Sequence, residues 1–137
     1  KITGIDLTTI TNALNLSAEL IGNSTSTLAK INGNYLINAT SANMAQAQTL
    51  LSNSHVQAID VLDSRANVNT SFDQLNDNTK IGNIYLNNND APVALSQSQV
   101  LGGLTTLNKF QSSYTLDVSG VSVANVVKSH EASQPKV

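Results

Sequence analysis

The chain overlays on itself. Sliding it by 79 positions lays Lys1 to Thr40 on Lys80 to Ser119 without a gap. Ten of the forty pairs are identical: Lys1 with Lys80, Ile2 with Ile81, Ile5 with Ile84, Leu7 with Leu86, Leu16-Ser17 with Leu95-Ser96, Thr27-Leu28 with Thr106-Leu107, Lys30 with Lys109 and Tyr35 with Tyr114. Chance would give roughly three in a chain of this composition, so the offset marks a duplicated structural unit. Conservative pairs such as Ile21 with Val100 and Ile37 with Leu116 extend it. A chain built this way has to bury the apolar side of each segment against a like neighbour.

Within that frame, short alternating apolar runs recur at Ile2 to Leu7, Tyr35 to Ala39, Val56 to Val61, Ile81 to Leu86 and Tyr114 to Val118, and they read as strands. Their centres, Ile5, Ile37, Ile59, Ile84 and Leu116, are 32, 22, 25 and 32 residues apart, room for a helix and a return. Helical spacing and start signals fill the gaps: Ser17 before Leu20, Ile21 and Leu28; Thr40-Ser41 before Met44, Ala47, Leu50 and Leu51; Asp63-Ser64 before Val68, Phe72 and Leu75. Ser96-Gln-Ser-Gln99 fits a capping box. Gly22 to Thr25 and Gly102-Gly103 interrupt the helices expected at Ser17 to Ala29 and Ser96 to Phe110. Strands that cross over through helices run parallel. The expected fold is α/β: a repeat solenoid of strand-helix units with a parallel β-ribbon and helices on its outer face. A single compact α/β domain with the same strands in another order is the alternative. Residues 1–127 form the repeat domain, and 128–137, where periodicity stops, read as tail or linker. Lys1 opens directly into a strand pattern, so the segment reads as cut from a longer protein.

Composition excludes several functions. Ser, Thr, Asn and Gln fill 55 of 137 positions against 16 charged ones, and the net charge is -2, which leaves no electrostatic footprint for nucleic acid or an anionic bilayer. Without cysteine there is no disulfide, thiol nucleophile or Cys-based metal site. No apolar run approaches the length of a membrane span. His55 reads as a turn or helix-end residue, and no second histidine completes a zinc motif beside His130-Glu131. A Ser54-His55-Asp60 triad lacks a nucleophile elbow, and Gly102-Gly103-Leu104 lacks the aspartate of a calcium nonapeptide. No enzyme chemistry, cofactor or metal is expected. Asn32-Gly33-Asn34, Asn76-Asp77-Asn78 and Asn87 to Asp90 read as turns, because asparagine tolerates left-handed angles and bonds nearby main chain. A carbohydrate site would draw on Tyr35 and Tyr114 for stacking and on Asn87, Asn88, Asn89 and Asp90 for polar contacts.

One stretch resembles a known class. Ser52-Asn-Ser-His55-Val56-Gln-Ala-Ile59-Asp-Val-Leu-Asp63-Ser64-Arg-Ala66-Asn67-Val68, then Phe72-Asp-Gln-Leu75, Lys80-Ile81 and Ile84-Tyr-Leu86, is similar to repeats of very large secreted bacterial proteins of the adhesin-like and haemolysin-type calcium-binding kind. Leu95-Ser96, Leu107-x-Lys109 and Ser113-Tyr114-Thr-Leu-Asp-Val-Ser119-Gly120-Val121 look like the remainder of that unit. The resemblance implies an extracellular or cell-surface setting and a structural or adhesive role, and it carries no catalytic residues. Expected partners are adjacent repeats of the same chain, other copies meeting through uncapped ends, and a glycan or other cell-surface ligand.

Overall fold

The computed structural model describes residues 3–7, 12–88 and 91–121. The chain runs β1 (Ile5–Asp6), β2 (Leu14–Ser17), α1 (Ala18–Asn23), α2 (Thr25–Leu28), β3 (Ile31–Asn32), β4 (Ile37–Ala42), α3 (Met44–Leu51) and β5 (Val56–Asp63). It continues through α4 (Arg65–Thr70), α5 (Phe72–Asn76), β6 (Ile81–Leu86), β7 (Val93–Ser96), α6 (Gln97–Gly102), α7 (Leu104–Leu107) and β8 (Leu116–Ser119). This is a mixed α/β fold whose described strand pairings are all parallel, as helical crossovers require. The largest sheet has the order β2-β4-β5-β6, with β1-β3 and β7-β8 as two-stranded companions and a parallel bridge from Ile84 to Phe110.

Alternation interrupted by register shifts sends Ile37, Ala39 and Ala42 of β4, Val56, Ile59 and Val61 of β5, and Ile81 and Ile84 of β6 into one aliphatic core. The helices close that side with Ala47 and Leu50 from α3, Val68 from α4, and Phe72 and Leu75 from α5. Each buried Val, Ile, Leu or Phe among these contributes about 1.5–3 kcal/mol. The opposite side of the strands stays open, with Asn15, Gln57, Leu62 and Tyr85 exposed. A parallel sheet usually has both faces covered.

Every long crossover starts on a side-chain cap. Ser17, Ser64 and Ser96 accept hydrogen bonds from the amides of Leu20, Asn67 and Gln99 at 3.2, 3.3 and 3.2 Å. Ser96 and Gln99 form the expected capping box. The helices break where expected: Ser24 sits at φ -114, ψ 14 and Gly103 at φ -106, ψ 16. Ser71, at φ -109, ψ 12, breaks the crossover after β5 in the same way.

Three expectations need correction, and two strands lie where none was expected. Strands β2 and β7 lie immediately ahead of the Ser17 and Ser96 caps, in segments too short for alternation to be read. Strands expected to begin at Tyr35 and Tyr114 begin at Ile37 and Leu116, because each tyrosine anchors the approach to its strand. Within Ile2 to Leu7, the described strand is Ile5–Asp6. Thr40-Ser41 is not a helix cap. Strand β4 continues to Ala42 across a bulge where Ser41 takes φ 55, and Asn43 forms the cap with Gln46 at 2.9 and 3.0 Å. Gly33 has φ 91, as the Asn32-Gly33-Asn34 turn demands.

Positions 79 apart hold matching bonds. The β2–β4 register Leu14↔Ile37 to Ser17↔Thr40 recurs in β7–β8 as Val93↔Leu116 to Ser96↔Ser119. Leu14 N donates to Leu36 O at 2.8 Å and Val93 N to Thr115 O at 2.8 Å; Ile5 N donates to Lys30 O at 2.8 Å and Ile84 N to Lys109 O at 2.9 Å.

Candidate functional site: an amide-lined concavity

The open side of the sheet carries a polar ladder. Asn15, Asn38 and Gln57 stand side by side on β2, β4 and β5. Asn38 Nδ2 donates to Asn15 Oδ1 and Gln57 Nε2 donates to Asn38 Oδ1, both at 3.0 Å. Each amide offers both a donor and an acceptor, so the row extends from strand to strand without introducing charge. Two further cross-strand pairs use a carboxylate as the acceptor instead: Asn32 Nδ2 donates to Asp6 Oδ1 across β1 and β3 at 2.8 Å, and Asn83 Nδ2 donates to Asp60 Oδ1 across β5 and β6 at 3.0 Å. This is a second use for the asparagines beyond turns.

Beside the ladder, a concavity of about 950 Å³ opens among Asn12, Asn34, Tyr35, Asn38, His55 and Gln57. In its wall, Tyr35 is 7% exposed and its ring is covered by His55, stacked at 4.0 Å and 8°. The Tyr35 hydroxyl donates to Leu28 O at 3.3 Å, and His55 Nδ1 lies 3.1 Å from Tyr35 O. Tyr114 repeats the hydroxyl contact, donating to Leu107 O at 3.4 Å, and packs half-buried against Phe110 at a ring separation of 4.8 Å. Burial pushes its phenol above the ordinary tyrosine value. Tyr35 therefore has no open face for sugar stacking, and the two tyrosines occupy separate, equivalent places.

Between β6 and β7, Asn88 has a structural role. Arg65, 5% exposed, donates through Nε to Asn88 O at 3.0 Å, through its Nη1 to Ala91 O, and through Nη2 to Ser113 O at 3.1 Å. Its backbone N–H reaches Asn88 Oδ1 at 3.3 Å. The planar fork thereby ties β5's crossover to Asn88 and Ala91 and to the approach to β8. Asn87 and Asn88 are otherwise at the surface; Asn89 and Asp90 lie outside the described residues. Arg65 is the residue that sequence reasoning missed, because an isolated arginine after a cap is normally a solvated one.

Asp63 is likewise buried. Burial pushes its carboxyl upward, but hydrogen bonds from the Met44 amide (2.7 Å), the Asn67 side chain (2.8 Å) and the Ser64 amide (2.7 Å) outweigh it and hold the group below its ordinary value. Its Oδ2 serves the first turn of α3 from a neighbouring strand.

No charge-relay geometry joins Ser54, His55 and Asp60. The imidazole Nδ1 meets a carbonyl, while Asp60 Oδ1 accepts from Asn83 N and Nδ2 at 3.0 Å each. Among the described residues, no cluster of three or more His, Asp or Glu side chains is arranged to hold a metal, and no helix is long and apolar enough to cross a membrane. No family model, curated protein or solved structure matches the chain.

Proposed function

We propose that this chain is a non-enzymatic repeat module of a large bacterial extracellular or cell-surface protein, a stack of strand-helix units serving as spacer, scaffold or adhesive surface. The observation that carries this reading is the span of its cross-unit bonds. Side chains reach their partners at separations of about one unit: Asp6 to Asn32 and Asp73 to Gln99 at 26, Asn38 to Asn15 and Asp60 to Asn83 at 23, Lys80 to Leu51 at 29 and Thr106 to Asn76 at 30. Stability supplied by the adjacent unit is what allows a stack to be lengthened without redesign. Uncharged amide rows keep a long face soluble without a strong field. The bacterial surface setting rests on the sequence resemblance.

Deleting one unit tests the stack. Removing residues 37–55 joins Leu36 to Val56 at a point where Ile37 and Val56 are register partners, so β5 takes β4's place beside β2. A stack stays folded, with native-like circular dichroism and a cooperative but weaker urea transition. Loss of all cooperative unfolding would refute it.

The amide-lined concavity supports a second reading as a carbohydrate-binding module, because uncharged amides in a row suit sugar hydroxyls. A glycan array decides: saturable binding abolished by Asn38→Ala supports it, and silence of the intact chain removes it.

A further inference from the structure

We propose that the outer edge of β8 is a docking site for an extended segment of the β5 type, bound in parallel, with an aromatic or imidazole ring at its leading end stacked on Tyr114. The inference rests on the stacked reading above and names the partner that such a stack requires. The template lies in the same chain. Strand β4 has β2 on one edge and β5 on the other; β8 has β7 in the place of β2, in the same register 79 positions on, and among the described residues nothing pairs with its other edge.

The groups that β5 satisfies on β4 recur on β8 with no strand of the described residues against them, Tyr114 being packed on one side by Phe110. Ile37 N donates to His55 O at 2.7 Å, and Leu116 N stands at the matching position. Ile37 and Ala42 are each 0% exposed, whereas Leu116 and Val121, which correspond to them, are 39% and 40% exposed. Ser41 at φ 55 bends β4 before Ala42, and Gly120 at φ 73 repeats that bend before Val121. Tyr35 is buried under His55, while Tyr114, with its hydroxyl bond already formed, is half-buried. The edge is thus shaped before its occupant arrives, as in recognition by strand addition: main-chain bonds supply affinity, and apolar positions and the ring at the leading end supply register.

The test titrates a fluorescein-labelled peptide of residues 54–64, Ser-His-Val-Gln-Ala-Ile-Asp-Val-Leu-Asp-Ser, into the full chain and follows anisotropy. The expected result is saturable binding that Leu116→Pro abolishes by removing the outward N–H, with the Leu116→Pro protein keeping its circular dichroism. Replacing the peptide's histidine by alanine, or Tyr114→Ala in the protein, weakens binding about two- to tenfold, the range for a stacked ring pair. The inference is overturned if binding is absent, equals that of a scrambled peptide, or is unchanged by Leu116→Pro. It is overturned equally if Leu116→Pro instead dissolves a dimer seen in sedimentation, which would make a second copy the occupant. Failure here with a folded unit-deletion variant sinks only this inference; failure of both sinks the stack.

Discussion

A methyl group added at Gly103 would have nowhere to go. An ideal Cβ there lies 2.4 Å from Phe72 Cε1, 2.6 Å from Phe72 Cζ and 2.5 Å from the Gln99 carbonyl oxygen. Phe72 is 1% exposed and belongs to the core, and the carbonyl is backbone, so neither neighbour can yield cheaply. Overpacking of this kind costs about 3 kcal/mol, at the upper end of the usual range, and alanine's better helix propensity returns at most about 1 kcal/mol, for a net loss near 2 kcal/mol. In a chain of 137 residues that lowers Tm by about 6–10 °C. The adjacent glycine is the control: a Cβ at Gly102 meets nothing within 4 Å, so Gly102→Ala raises stability by a few tenths to about 1 kcal/mol. The assay is urea and thermal unfolding followed by circular dichroism for both variants. Adding Phe72→Leu to Gly103→Ala should recover part of the loss, giving a coupling energy of about 1 kcal/mol in a double-mutant cycle, with the carbonyl contact remaining. Gly103→Ala as stable as the parent, or additive with Phe72→Leu, would refute the packing argument.

Three further outcomes follow from the buried polar groups and the bulge. Asp63 has its carboxyl held below the ordinary value of 3.8, so its contribution is complete above that pH and disappears as pH falls through the lowered native value; urea unfolding between pH 6 and pH 2 should show a steeper acid loss in the parent than in Asp63→Asn, which is weaker at pH 6 already. Arg65→Lys keeps the charge but not the fork that spans Asn88, Ala91 and Ser113, and should cost about 3 kcal/mol in the same assay, with Arg65→Met costing at least as much. Ser41→Gly relieves a left-handed non-glycine residue and, after the entropy glycine adds to the unfolded chain, should be neutral or stabilising by up to about 1 kcal/mol, whereas Ser41→Val should be destabilising by more than that.

Local chemistry was legible wherever it depended on near neighbours in the chain. The Ser96-Gln99 capping box, the Ser17 and Ser64 starts, the helix breaks at Ser24 and Gly103, the turn at Gly33 and the parallel sense of the strands all follow from spacing and residue type. The short strands β2 and β7 were not legible, since four residues running into a serine cap look the same whether they pair or lead into a helix. Nor was the role of Tyr35, whose ring is covered by a histidine 20 positions later.

What the sequence determined alone is periodic: which positions are apolar, where each crossover starts, and that the pattern returns after 79 residues. Only the tertiary structure decided which polar groups share a neighbour. The amide row Asn15, Asn38 and Gln57, the carboxylate of Asp63 beneath α3 and the guanidinium of Arg65 across three segments all join residues 19 to 48 positions apart. Hydrogen bonds act over about 3 Å and depend on register, and a shift of one residue turns each strand side chain to the other face.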